Sequence, residues 1–506
     1  MRSLSSAIAI RAVCLTVLVG VPGDAGAQLI GLKTVPLAAG DQFFIAPSLN
    51  AGMAGASIAH DDLLLDPFVN PAKGGRVVQS QFFSSPIAYS ISDENGGAQT
   101  LPVGVLLNST AWFGGAVAAM QQVDRGRGIW FPFVSVDPAS TEVLPSVAST
   151  DESQTNKYFQ LTLGRRLGDG GLAFGASAMA ADLNGTDGVE ELFANAWAIE
   201  EFGHIEDYRI GVTGSLSGDR TFEVLVVHNR VNLTQDVTSV DWTLTDAVLR
   251  LWTPDVEQEV NLNKTRTWGA HVGYVQPIGD TDWRIGGILT ANRKLHPKIP
   301  TYDLVNIQVA ERAPIPRDPG ESWAYNLGLG LSRQAGPTTF AMDVVYEPAV
   351  SNTWADAESD VPTSDGGTIL AGERTVDNRF VFSNARLNVG VSRELGMSAW
   401  QLGFRAHHFD YRLRQNDHVQ VTQRSQTEQW TEWTPTWGFR LTWSNVEVRY
   451  AGSASSAAHF PFFRSESLLE VDSLLGVDVL APPTGALRIP DETTVTHRFA
   501  VSLPIR

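Results

Sequence analysis

Along most of this chain apolar and polar residues take turns one by one. From Trp283 to Asn292 one face carries Trp283, Ile285, Gly287, Leu289 and Ala291, the other Arg284, Gly286, Ile288, Thr290 and Asn292. Phe340, Met342, Val344 and Tyr346 alternate with Ala341, Asp343 and Val345. Trp437, Phe439, Leu441 and Trp443 alternate with Gly438, Arg440 and Thr442, and Val446, Val448 and Tyr450 with Glu447 and Arg449. The last such window sets Val495, Phe499, Val501, Leu503 and Ile505 against Thr496, Arg498, Ala500 and Ser502. A period of two belongs to a β-strand whose faces meet different surroundings. Here one face is apolar, often opening or closing on an aromatic, and the other is small, polar or charged.

The connections separate two kinds of β protein. Tight turns fall at Gly168-Asp169-Gly170, Ser217-Gly218-Asp219, Gly279-Asp280-Thr281, Ala335-Gly336-Pro337, Gly396-Met397-Ser398 and Ser444-Asn445. Between them run long polar stretches, near Asp124–Asn156, Asp182–Glu206, Gln235–Lys264, Lys294–Gly320, Pro348–Val376 and Ser453–Thr493. A soluble sandwich would have loops of more even length. Short turns at one end and long loops at the other are the arrangement of a transmembrane barrel. Windows of about 10 to 12 residues, rising ~3.3 Å each at ~45° tilt, cover roughly the 25 Å apolar height such a barrel needs. About 16 windows begin near Arg76, Gln99, Trp112, Lys157, Gly171, Asp207, Thr221, Arg266, Asp282, Ser322, Thr338, Asn378, Ala399, Glu432, Asn445 and Thr494, an even count of the kind bacterial barrels use. Closure pairs every backbone N–H and C=O and leaves no edge in lipid. The predicted class is all-β: an antiparallel up-and-down transmembrane β-barrel. Trp268, Trp283, Trp323, Trp400, Trp437 and Trp443 fall near strand ends, as an interfacial girdle requires. Leu503-Pro504-Ile505-Arg506 departs from the aromatic ending of many such barrels.

Composition adds bounds. The net charge of -18 excludes nucleic acid as a partner, because phosphate binding needs basic patches. No apolar run reaches the ~18 residues of a membrane helix. Residues 1–27 read as a signal peptide, with Arg2 and Arg11, the apolar run Ala12–Val21 and an Ala25-Gly26-Ala27 cleavage site. Cys14, the single cysteine, lies inside that run, so the exported chain is expected to hold no disulfide and no thiolate metal site.

One stretch before the strands stands apart. In Asn50–Gly75, the small residues Gly52, Ala54, Gly55, Ala56 and Ala59 allow close backbone approach; Asp61 and Asp62 follow, then Asp66-Pro67 and the breaker Asn70-Pro71-Ala72. This order resembles the N-terminal segment of the FadL superfamily of outer-membrane β-barrels, which includes long-chain fatty acid transporters and the PorV-type barrels of secretion systems. The resemblance implies a barrel of 14 strands, against 16 from the windows, with residues 28–75 as a lumenal plug and 76–506 as the barrel. It also implies a Gram-negative outer-membrane location and passive entry of hydrophobic ligand from apolar extracellular loops. Ligand then passes a plug carrying Gly52, Gly55, Asp61, Asp62, Asn70, Pro71 and Ala72 and leaves sideways into the bilayer, without a cofactor.

Charged residues on the alternating face must point into the lumen: Arg209, Arg284, Arg386, Arg405, Arg440, Arg449 and Arg498, with Glu223, Asp343 and Glu447. They read either as a bracing lattice of ion pairs or as a cationic lining for an anionic headgroup, and Arg440, Arg449 and Arg498 on the last three strands are placed to converge. Asp61, Asp62 and Asp66 lack the spacing of a calcium loop and are expected to bond backbone amides or lumenal arginines. His407 and His408 face opposite sides of a strand, so no metal site is expected there. No nucleophile elbow, H-E-x-x-H, Walker loop or dinucleotide fingerprint occurs, and no enzyme is expected. The aromatics Trp130-Phe131-Pro132-Phe133, Phe193, Trp252 and Phe460-Pro461-Phe462-Phe463 lie in long loops, either packed as a cap or exposed as a gateway. Two functions remain open: a FadL-like channel for hydrophobic molecules, and a PorV-like barrel that receives secreted proteins. An open porin is disfavoured by the plug-like stretch.

Overall fold

The computed structural model describes residues 29–34, 42–92, 96–125, 153–168, 171–186, 196–246, 251–296, 303–306, 311–314, 320–357, 359–458, 478–479 and 493–505. The signal-peptide stretch and the aromatic loop segments Trp130–Phe133, Phe193 and Phe460–Phe463 lie outside these residues, as does the side chain of Trp252.

Sixteen antiparallel staves close into one barrel. The first, β1, runs in two halves, Gln81–Ser84 and Ile87–Ile91, because Pro86 has no N–H to give the ladder. Then follow β2 (Gly96–Asn108), β3 (Trp112–Arg125), β4 (Ser153–Leu167), β5 (Leu172–Leu183), β6 (Ala196–Leu216), β7 (Arg220–Asp246) and β8 (Leu251–Pro277). The remainder are β9 (Trp283–His296), β10 (Gly320–Ala335), β11 (Thr338–Asp356), β12 (Arg374–Leu395), β13 (Ser398–Asp417), β14 (Thr422–Trp443), β15 (Val446–Ala458) and β16 (Thr493–Pro504). Pairing of β16 with β1, from Gln81↔Pro504 to Ile91↔Thr494, completes the ring. The count of 16 from the alternating windows is the observed one, and 14 is not.

The alternation is real in space. Ile285, Val344, Tyr346, Trp400, Leu402, Trp443, Val448, Phe499 and Val501 are exposed on the outside, while Asp343, Thr436 and Ser502 are buried inside. An exterior that is apolar over a continuous band identifies a membrane-spanning barrel. Trp268, Trp323, Trp400 and Trp443 stand exposed on it, and Arg333 caps the Trp283 ring at 5.4 Å.

Strand length departs from the windows. The staves β7 and β8 are 27 residues each, so Gln235–Lys264 is not a loop but the upper part of a tall hairpin. Likewise β6 begins at Ala196 inside the stretch read as a loop, and β11 runs on to Asp356. Above the membrane, polar residues suit both faces and the apolar alternation fades, while the backbone ladder carries on unchanged. A hairpin of Asp303–Asn306 and Glu311–Pro314 adds to β8.

Residues 42–76 lie inside the ring. They fold into turns of 3-10 helix at Ala51–Met53 and Pro71–Arg76 and one α-helical turn at Asp66–Val69. Their backbone rests directly on the wall where the wall has no side chain. A Cβ on Gly403 would stand 2.5 Å from Ala54 N, one on Gly390 2.6 Å from Met53 Cα, and one on Gly175 2.5 Å from the Pro71 carbonyl carbon. Further up, Leu32–Lys33 pairs in parallel with Asp478–Val479.

Candidate functional site

The lumenal segment is held by charges and polar groups that its own sequence places in order. Asp62 accepts hydrogen bonds from the Ser48 hydroxyl and from the backbone amides of Leu49, Asn50, Leu64 and Leu65, which substitutes for the missing strand ladder. Asp61 bonds Arg76 at 2.6 Å and lies 3.9 Å from the Arg284 guanidinium of β9. The carboxylates therefore do what was expected of them, binding amides and arginines.

Asn70-Pro71-Ala72 caps and docks a turn. The Asn70 side chain accepts from the Ala72 amide, and its Nδ2 donates to Glu223 on β7 at 2.8 Å. Pro71 and Ala72 lie buried against Gly175 of β5. The next residue, Lys73, is 3.0 Å from Glu223 and 3.5 Å from Asp66, and His271 of β8 stands 3.7 Å from Glu223. Burial pushes the Asp66 carboxyl up to about 7 against the pull of the Lys73 ammonium. Burial also works against the Lys73 charge, yet Asp66 and Glu223 hold that amine above the usual lysine range. His60 is lowered by burial, with Asp61 and Asp62 opposing.

At the other end of the segment Gly52 meets Gly438, whose added Cβ would lie 3.2 Å from the Gly52 Cα, and Gly55 takes a φ of +71° beside Arg405. The Arg405 guanidinium donates to the Ala54 carbonyl, and Asp343 accepts from the Ser57 amide at 2.6 Å.

Between this segment and the wall lies a cavity of about 650 Å³. Its apolar lining is Phe43, Phe44, Leu65, Phe68, Met179, Ile205 and Val231, with Gln160, Asp207, Arg209 and Glu223 set among them on the same or neighbouring staves. Further polar lining comes from Arg386, Arg405, His407, Glu432 and Arg498. Many of these charges are already braced. Glu347 joins Arg386 at 3.4 Å to His407 at 2.8 Å, and Glu432 takes Lys33 at 2.7 Å. Arg498 lies over the Phe44 ring, 4.2 Å from its centre.

The predicted trio of arginines is brought together only in part. Arg440 and Arg449 stand opposite each other in the ladder of β14 and β15, and Arg498 follows on β16. Only Arg498 reaches the cavity; Arg440 pairs with Glu394 at 2.6 Å, half-exposed, and Arg449 pairs with Glu447. His407 and His408 split as the strand demands, His407 to Glu347 inside and His408 to Thr431.

No protein family and no curated protein matches this sequence. Among solved structures the chain is similar to a Pseudomonas aeruginosa FadL homologue, at 11% identity, covering 92% of this chain and 100% of that chain with a TM-score of 0.45. It is also similar to the Ralstonia pickettii toluene transporter TbuX, at 13% identity, 92% and 100% coverage and a TM-score of 0.41. The Pseudomonas putida toluene transporter TodX follows at 12% identity, 90% and 98% coverage and a TM-score of 0.39. The functional reading rests on the geometry of this chain.

That geometry includes a surface the sequence reading passed over. Phe380 and Phe382 of β12, Phe409, Tyr411 and Leu413 of β13 and Trp430 of β14 are buried in one cluster, with Ile30 and Leu32 packed against it. It starts where the cavity ends: the His407 and Phe409 rings are 3.9 Å apart. The signal was available. Stepping by twos from Arg386 gives Phe382 and Phe380, and from Arg405 gives Phe409, Tyr411 and Leu413, so the inward parity of the arginines passes straight into aromatics.

Proposed function

We propose that this protein is an outer-membrane barrel through which hydrophobic molecules with a polar head, long-chain fatty acids among them, pass by passive diffusion. The observation that carries the reading is a cavity of about 650 Å³ lined by both apolar and charged side chains, within the range of small-ligand pockets, with an aromatic wall continuing from it towards the long-loop end. An apolar body is accommodated along Phe68, Met179, Ile205 and Val231, and a polar or anionic head against Arg498 and the His407 side. Residues 28–75 act as the plug. Gly52, Gly55, Pro71 and Ala72 give it close contact with the wall, and Asp61, Asp62 and Asn70 fix its turns. Arg440, Arg449 and Glu447 brace the wall rather than contact cargo.

The rival reading, a barrel that receives secreted proteins, requires an accessible rim and no cavity. Lys73, which follows Asn70-Pro71-Ala72 and would be available to a docking partner only if it were free, is engaged with Asp66 and Glu223 inside the barrel. Its position therefore supports plug anchoring over docking.

The test is native mass spectrometry with a C16 fatty acid and with toluene, on the purified barrel and on an Ile205→Trp/Val231→Trp variant that enlarges two apolar lining positions. Expected is a bound fatty acid in the parent and at least a tenfold loss in the variant. An empty parent barrel that retains a specific secreted protein would overturn the transport reading.

A further inference from the structure

The outer surface carries a feature that the lumen does not explain. On β12 the outward residues run Val381, Ser383, Ala385, Leu387, Val389 and Val391, with Arg379 above and Arg393 below. Ten residue steps at ~3.3 Å and ~45° tilt span roughly 23 Å of height, about the hydrocarbon band of such a barrel. Arg393 marks the boundary at the short-turn end, where the chain enters β1 and leaves β16. Arg379 marks the boundary at the long-loop end, which is the outer leaflet.

Arg379 is not alone there. The ladder sets it directly opposite Arg414 of β13, and Arg412 opposite Val381. All three side chains are exposed, and none has a hydrogen bond or ion pair among the described residues. Like charges placed opposite on a sheet repel. An exposed cation with a carboxylate within reach is paired, as Arg293 with Glu321 at 2.8 Å on β9 and β10. The acids on this face do not neutralise the cluster. Asp377, which accepts from Asn416 at 2.9 Å and meets His418 at 2.8 Å, and Asp410 are two carboxylates against three guanidinium groups, and neither forms an ion pair with those arginines among the described residues. On β14 the facing residues are Thr427 and Ser425, which are uncharged.

We propose that Arg379, Arg412 and Arg414 form a binding site for a phosphorylated lipid headgroup of the outer leaflet. Guanidinium groups take phosphate oxygens in pairs, and cations at headgroup height attract anionic lipid while the acyl chains lie along Val381 to Val391. The phosphate supplies the counter-charge the protein omits. The site stands on the outside of the barrel and does not depend on what crosses the lumen.

The test uses the full barrel in phosphatidylcholine nanodiscs doped with bis-phosphorylated lipid A, followed by native mass spectrometry of the released protein. Expected is retained lipid A on the parent, at least a tenfold lower retained fraction in R379Q/R412Q/R414Q, and parent behaviour in R393Q at the opposite boundary. Heat-modifiable electrophoretic mobility reports folding, and Arg414→Gln alone, expected to lose retention several-fold, serves if the triple variant does not fold. Equal retention in parent and folded variant overturns the site. So does full displacement of lipid A by millimolar inorganic phosphate, which would reduce it to a site for a free anion.

Discussion

Single residues in the lumenal segment bind it to the barrel through charges that meet only in the folded state. Asp66 and Lys73 are seven positions apart, but Glu223 and His271 come from β7 and β8, and no local spacing announces them. Asp61, Asp62 and Asp66 were legible as a group in the sequence; their separate partners were not. The burial of Asp66 has a consequence in pH. Burial raises the Asp66 carboxyl from about 3.9 in the unfolded chain to about 7 in the folded one. A raised acid stabilises the docked segment fully below the lower value, and that contribution is lost as pH rises through the upper one. His60, lowered by burial, acts oppositely, its contribution being lost as pH falls below its unfolded value near 6.5. With His60→Gln removing the opposing group, trypsin cleavage after Lys73 and Arg76, normalised at each pH to cleavage of an unstructured reference peptide, should therefore be slower at pH 5.5 than at pH 8, and Asp66→Asn should remove most of that difference. If Asp66→Asn leaves the pH profile unchanged, the protonation argument is wrong.

At the level of elements, parity did most of the work. Once the apolar face of a strand was assigned to lipid, every second residue between faced the lumen, where Asp343, Glu223 and Glu447 are found. Carried further along the same staves, that count reaches Phe380, Phe382, Phe409 and Tyr411, aromatics that look lipid-facing in isolation. What parity does not reveal is strand length above the membrane, because polar residues on both faces erase the period while β7 and β8 continue as a paired ladder. Nor does it show why lumenal glycines matter. Gly390 and Gly403 are ladder partners, and both leave the wall flat for Met53 and Ala54. A valine at Gly403 would drive its Cβ to 2.5 Å from Ala54 N, a backbone atom that has nowhere to go while Ala54 N bonds Thr436 at 2.9 Å. Gly403→Val should displace the segment around Gly52–Gly55 and leave the ladder of the barrel intact. Hydrogen exchange would show this as at least tenfold faster exchange at Met53–Ala56 with β12 and β13 unchanged.

For the whole molecule, the ring of 16 staves sets a requirement that no single strand states. A barrel of this size is wide enough to leave a water channel, as 16- to 18-stranded porins do, unless something fills it. Here residues 42–76 fill one level of it. Apolar packing of Ile45, Leu64 and Phe68 lies against Phe83, Leu106, Ile205 and Val231 on one side, and backbone rests on glycine on the other. The number of staves was legible because each spans the membrane once and repeats the same alternation. The filling was legible only as a stretch that failed to alternate, since its contacts reach from β1 to β15 and belong to no local pattern. The consequence is electrical. The intact protein in a planar bilayer should pass little current, because residues 42–76 pack against Phe83, Leu106, Ile205 and Val231 on one side and against wall glycines on the other. Removing residues 50–75 takes away the Asp62 turns, the Lys73 anchor and the Phe68 packing together, while every ladder from β1 to β16 keeps its partners. That variant should insert, retain heat-modifiable mobility and conduct as a stable open pore, at least tenfold above the intact barrel. Equal conductance in both would mean that water already runs past the segment, and the barrel would then be a porin with an ornamented lumen rather than a closed carrier of hydrophobic cargo.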